Sequence, residues 1–168
     1  MKTIDKHLCK ALDSYPFQLE ETIESLEYAL SYDRHNPITL CMFGRVYAEQ
    51  FLNYSVAKEY YQEALAADLS AVYVYPFFIQ MLIESDECEE AEKLISFALT
   101  IKGINKPLLI SKYVSLLEKC GKYKKAKKWL QKLQLQAVQD DFLTFIKDTE
   151  SRIKTKKSLS KKKDSNKK

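Results

Sequence analysis

Few side chains in this 168-residue chain are of the types that carry catalysis. Its two imidazoles are His7 and His35, and neither sits in an HExxH run or beside a Ser and Asp in a triad-like pattern. Gly44, Gly103 and Gly121 are isolated from one another, so no glycine loop cradles a phosphate. Carboxylates crowd the stretch from Glu84 to Glu92, but on a turn and a helix start, where they face the positive end of the helix. The four cysteines, at 9, 41, 88 and 120, are too far apart in the chain for a CxxC metal spacing. They read as buried, reduced thiols packed like small hydrophobes, which suits a reducing, cytoplasmic setting. No enzyme activity, metal or cofactor is expected. The chemistry that is present is charge. Lys119, Lys122, Lys124, Lys125, Lys127, Lys128 and Lys132 crowd one segment, and Lys156, Lys157, Lys161, Lys162 and Lys163 follow near the end. Of these, Lys124, Lys125, Lys128, Lys156, Lys157, Lys161, Lys162 and Lys163 are the candidate polyanion binders. Such lysines hold phosphate backbones without reading sequence. Residues 152–168 contain no aromatic side chain, so base stacking has no platform there.

The elements that position these groups are helices. Apolar residues make up 46% of the chain and aromatics 12%, which calls for a folded body. Three glycines and four prolines allow few turns. Residues 152–168 carry nine Lys/Arg and one Asp, so the net charge of +4 combines a mildly acidic body with a strongly basic tail. That split also permits self-assembly, acidic region to basic end. The most apolar window, 71–83, is too short to span a membrane, and the first residues lack the apolar core of a signal peptide. Ser14 and Pro16 are expected to open a helix running to Tyr32. Asn36-Pro37 opens the next, and Asn53-Tyr54-Ser55 breaks it. Ala57 to Asp68 follows, then Ser70 to Ile83, with Pro76 delaying or kinking its start. Gly103 and Gly121 end two later helices, Lys106-Pro107 begins another, and the last run from about 123 to 135 and from 138 to 153.

One beat runs through these helices. Ala57, Ala91 and Ala126 each have a large apolar residue four positions on, at Tyr61, Ile95 and Leu130. Three further on stand Ala64, Ala98 and Leu133. A fixed period of this length marks stacked units. Leu40-x-x-Phe43-Gly44-x-x-Tyr47, followed by Ala57-x-x-x-Tyr61-x-x-Ala64, resembles the tetratricopeptide repeat family. Tyr75, Phe78, Ile79 and Leu82 with Ala91, Ile95 and Ala98 form a second match. Ile110, Tyr113, Val114 and Leu117 with Ala126, Leu130 and Leu133 form a third. The later units put Ile79 and Val114 where the family has glycine, and one extra residue lies between Tyr47 and Ala57. The resemblance implies an all-α fold of αα-hairpin repeats stacked into a right-handed superhelix. Its body would be residues 1–151, with a degenerate unit at 2–36 and units at 37–70, 71–106 and 107–136. A capping helix at 138–153 would bury Val138, Phe142, Phe145 and Ile146, and 152–168 would be a disordered basic tail.

In that family the first helix of each hairpin lines a concave face that grips peptides or partner helices. The equivalent positions here are Ile38, Cys41, Arg45, Tyr73, Gln80, Glu84, Leu108, Ser111, Ser115 and Lys119. The family's carboxylate clamp needs Asn on its first two units. Its places hold Arg45, Phe77, Leu108 and Lys112 instead, which speaks against binding a C-terminal tail. The resemblance thus implies a non-enzymatic adaptor or assembly subunit with a protein or peptide partner. A nucleic-acid-associated role of the basic end, and a self-assembling scaffold, are the alternatives.

Overall fold

The computed structural model of the chain describes residues 6–136 and 140–165, with the side chains of 140 and 160–165 left aside. Nine α-helices and no strand occur among the described residues. They are α1 (Lys6–Ser14), α2 (Leu19–Tyr32), α3 (Pro37–Arg45), α4 (Tyr54–Ala67), α5 (Val74–Glu84), α6 (Cys88–Ala98), α7 (Lys106–Lys119), α8 (Tyr123–Gln136) and α9 (Asp140–Ser165). A π-helical turn, Val46–Gln50, continues α3. The chain divides into two compact units, Met1–Ser85 and Asp86–Lys168.

In the first unit α1 packs on α2, α2 on α3, α3 on α4, and α5 on both α3 and α4. Leu8, Ala11, Leu26, Ala29, Met42 and Phe43 form its leading core. The N-caps follow the sequence at two starts: Asn36 accepts from the amides of Ile38 and Thr39, and Asn53 from Val56. Ser14 does not cap α2. It is the last residue of α1, where its hydroxyl donates to the Lys10 carbonyl at 2.9 Å, and α2 starts only at Leu19. Pro16 falls in the turn between them rather than in a helical first turn. Pro76 sits in the first turn of α5, whose start is pushed from Ser70 to Val74, because proline can lack its N–H only there. The extra residue between Tyr47 and Ala57 is accommodated by the π turn, in which the Phe51 amide reaches back five residues to the Val46 carbonyl.

The second unit packs α6 on α7, α7 on α8, and α9 on both α7 and α8. Ala91, Ile95, Ala98, Val114, Ala126 and Leu130 are buried at these crossings. Gly121, with φ 69°, directly follows the α7 C-cap as the sequence led us to expect, whereas Gly103, with φ 86°, does not close α6: that helix ends at Ala98 with Leu99 as its cap, and Gly103 lies in the turn beyond. The basic tail departs from expectation. Helix α9 continues past residue 153 to Ser165 instead of giving way to a disordered segment. Ile146, Thr149 and Ile153 are buried along one stripe, and Arg152 and Lys156 reach the Glu118 carboxylate of α7 at 3.1 and 2.8 Å. Once docked, a helix propagates at little cost through a stretch free of Pro and Gly. Val138 lies outside the described residues.

Close approach of α3 and α4 rests on Gly44. A Cβ placed there would come within 2.7 Å of the Tyr61 ring, and that ring is 1% exposed with no room to withdraw. The Gly44→Ala variant is expected to unfold about 1–3 kcal/mol more easily from overpacking, despite the better helix propensity of alanine. Urea denaturation followed by circular dichroism measures this, and unchanged or increased stability would refute the close crossing.

Candidate partner-binding face

In the 1–85 unit, the side-by-side packing of α3 and α5 sets two stripes next to each other. Helical spacing puts Cys41 and Arg45 on α3, and Tyr73, Phe77, Gln80 and Glu84 along the start and length of α5. The centre is Arg45. Its guanidinium carbon lies 4.7 Å from the centroid of the Tyr15 ring and 4.2 Å from that of Phe77. Both lie in the cation–π range. Its Nε donates to Glu49 Oε1 at 3.0 Å. The Tyr15 hydroxyl donates to the other carboxylate oxygen of Glu49, and Gln50 Nε2 lies 3.5 Å from that hydroxyl. Burial pulls the Arg45 guanidinium down, and the bond and charge of Glu49 more than reverse it. The cation is thus held by two rings and already neutralised. Around Arg45 the surface is therefore aromatic, with its one cation matched by one carboxylate.

Other expected positions in this unit differ. Tyr73 is 37% exposed at the start of α5, and burial of its hydroxyl, with lesser effects of Cys41 and Asp68, pushes it up to about 12. Gln80 donates to Glu84 Oε1 at 2.7 Å, so these two polar groups tie each other down along α5. Ile38 is half-buried against the leading core. Cys41 is 3% exposed, and burial pushes its thiol up to about 12. It belongs to the packing between helices and, though it shares a helix face with Arg45, is too buried to meet a partner. Tyr15, Glu49 and Gln50 belong to the site and were not expected there. The Arg45–Glu49 spacing of four is a legible helix pair, whereas Tyr15 is brought in only by the tertiary fold.

In the 86–168 unit, Leu108, Ser111, Ser115 and Lys119 lie on α7. The hydroxyls of Ser111 and Ser115 donate to the carbonyls of Leu108 and Ser111, at 2.7 and 3.1 Å. Ser111 is buried, so its hydroxyl is turned to its own helix. Lys119 pairs with Asp86 at 2.6 Å. The basic residues divide. Lys125 donates to Glu92 Oε1, and Lys122 to Glu92 Oε2 at 3.1 Å. The Tyr113 hydroxyl donates to the same carboxylate. The bonds from Lys125, Tyr113 and Lys122, in that order, hold the Glu92 carboxyl down at about 2. Glu118 is 6% exposed. Burial pushes its carboxyl up, and Arg152 and Lys156 more than reverse this, leaving it below the ordinary value. Lys125 and Lys156 are therefore committed to ion pairs, while Lys124 and Lys128 are exposed on α8. Lys157 is half-buried. The side chains of Lys161, Lys162 and Lys163 lie outside the described ones. Lys127, Lys147, Lys154 and Lys157 instead line an open cleft of about 620 Å³ between α8 and α9, with Glu150, Ser151 and Ile153.

Among the described residues no three His, Cys, Asp or Glu side chains gather as a metal site, and no helix is long and apolar enough to cross a membrane. No protein-family model and no curated protein sequence matches the chain. Solved structures do. The chain is similar to Pseudomonas aeruginosa PilF, a tetratricopeptide-repeat protein, with a TM-score of 0.76. The match has 18% sequence identity and covers 89% of this chain and 68% of that one. The fold is of the tetratricopeptide type. Tetratricopeptide-type repeats thus account for the hairpin packing of α3 with α4 and of α7 with α8.

Glu92 gives the site a pH signature. Its native carboxyl, held near 2, lies below its ordinary value of 4.5, so the unfolded chain takes up a proton first as pH falls. The stability it contributes is complete above about 4.5 and is lost as pH falls towards 2. Thermal unfolding of the wild type is expected to weaken across that window, and more steeply than for Glu92→Gln. Parallel slopes for the two proteins would contradict the assignment.

Proposed function

We propose that this chain is a non-enzymatic protein–protein interaction module, an adaptor or assembly subunit working inside the cell. We infer that the α3–α5 face of the 1–85 unit takes an apolar or amphipathic peptide or helix. The observation that carries the reading is the Arg45 cluster. A guanidinium within cation–π distance of both the Tyr15 and Phe77 rings and matched by Glu49 ties these aromatic side chains to one point of the face. The exposed Tyr73 extends it, and aromatic and Arg side chains of this kind dominate binding energy at interfaces. Because Glu49 already balances Arg45, the face suits an apolar segment better than a free carboxylate. The tetratricopeptide-type fold supports the general reading, since helical repeat arrays present extended binding faces.

Affinity capture from the native cell tests it, using the full chain and a Tyr73→Ala/Phe77→Ala variant checked for native helicity. The expected outcome is a protein partner held by the wild type, and by the chain with Lys154 and Lys157 changed to Gln, but lost from the aromatic variant. Retention by the aromatic variant would dismiss the α3–α5 face.

The α8–α9 cleft favours a second reading, a polyanion site in which Lys127, Lys147, Lys154 and Lys157 converge with one acid among them. Duplex DNA binding, read by fluorescence anisotropy, is then expected to fall steeply as salt rises from about 50 to 200 mM. It is also expected to weaken when Lys147 and Lys154 become Gln. Binding indifferent to both changes removes this reading.

A further inference from the structure

Where α6 begins and α7 ends, two stretches of chain in the 86–168 unit run alongside each other. Asp86 is tied to Lys119 at 2.6 Å, and Glu92 to Lys122 at 3.1 Å. The Tyr113 hydroxyl adds a further bond to Glu92. Between these two ion pairs lie Cys88, the first residue of α6, and Cys120, the C-cap of α7. The ion pairs on either side bring the two thiols near each other, and Cys88 is close enough to act on the Cys120 thiol. Cys120 is exposed and Cys88 half-buried, and both are free thiols. The sequence reading of all four cysteines as buried therefore holds only for Cys41, since Cys9 is exposed as well.

We propose that Cys88 and Cys120 form a covalent modification site, a dithiol that takes a low-molecular-weight disulfide as its substrate and closes to a bond pinning α6 to α7. The arrangement suits this chemistry on three counts. Ion pairs on both sides hold the two segments in register. Cys88 and Cys120 stand between those pairs, on neighbouring segments, which is the placement a bridge needs. Both residues are at helix ends, where the chain adjusts without breaking an interior turn. The exchange balances. One cysteine thiolate attacks a sulfur of the reagent, breaking its S–S bond, forming a mixed disulfide and releasing one small thiol. The second cysteine thiolate attacks the protein-bound sulfur and releases the second small thiol. Two protein thiols are oxidised, and the reagent is reduced to two thiols. Burial, and after it the Cys88 contact, push the Cys120 thiol up, so mildly alkaline conditions favour the exchange. The bridge closes the loop from 88 to 120, restricts the unfolded chain and raises stability. None of this depends on what the α3–α5 face binds.

The test incubates the full chain with oxidised glutathione at about pH 8, where more thiolate is present. Acid quenching, alkylation and peptide mass spectrometry follow. The expected product joins the Cys88 and Cys120 peptides, lacks glutathione on either, melts at a higher temperature, and returns to the starting state with dithiothreitol. Cys9, exposed, serves as the internal control and carries a glutathione adduct. In Cys88→Ser the adduct is expected to persist on Cys120, and in Cys120→Ser on Cys88, because the resolving thiol is gone. Stable adducts on both cysteines of the wild type overturn the proposal. So does a bridge that pairs either of them with Cys9, or a pair left unmodified while Cys9 reacts.

Discussion

Much of the first unit hangs on a missing side chain. With only hydrogen at Gly44, the Tyr61 ring of α4 occupies the space a Cβ would take on α3. Ala57 and Ala64, both fully buried, keep the same helix face low. Small residues at a crossing let two helices approach to the short end of the usual 8–10 Å range. The ring also stacks on Phe78 of α5 with centroids 5.3 Å apart. One position along, Phe77 turns about 100° around α5 and covers Arg45. The position of the aromatic side chains at the α3–α5 face thus depends on the α3–α4 crossing, against which α5 packs directly.

The polar links obey the same spacing as the packing. Tyr15 and Glu49 are 34 residues apart, Glu92 and Lys125 are 33, and Glu118 and Arg152 are 34. The alanine beat from Ala57 to Ala91 to Ala126 has that length too. In a stacked repeat, residues one period apart are neighbours by construction. A side chain on one helix therefore meets the equivalent region of the next unit's helix. The cross-links are a by-product of the repeat, and in the second unit they determine which lysines remain unpaired by Glu92 and Glu118.

This explains what was legible in the sequence and what was not. Helix type, the small-residue crossings, the asparagine caps at 36 and 53 and the glycine stop at 121 are signals carried within a few residues. They were read without knowing the neighbours. The extra residue before Ala57 was visible, but nothing local says whether it enlarges a loop or widens a helix. The π turn is the answer chosen by the need to keep both Tyr47 and Ala57 facing inward. The start of α2 was misread because Ser14 has a local alternative, its own α1 carbonyl. The tail was misread on composition. Lysine-rich segments lack apolar area of their own, and α9 is held by Ile153 together with an acid on another helix, Glu118. For the binding face, spacing pointed to Arg45 and Tyr73 but could not separate the exposed Tyr73 from the buried Cys41 one helix away.

The two units also differ in how their charge is arranged, and this bears on what each can recognise. Around Arg45 one cation meets one carboxylate between aromatic faces, so little field escapes to solvent. Association there would draw on desolvation of rings and depend weakly on salt. In the second unit Glu92 takes Lys122 and Lys125, and Glu118 takes Arg152 and Lys156. Each carboxylate is outnumbered two to one, so the ion pairs lock the helices together without neutralising the surface. The excess appears beside them, in the lysines of the α8–α9 cleft. An anionic partner would be drawn to this second surface from a distance and released by salt. The same residues that convert a lysine-rich tail into a packed helix thereby leave the unit basic. Folding and charge display in this part of the chain are consequences of one pairing scheme.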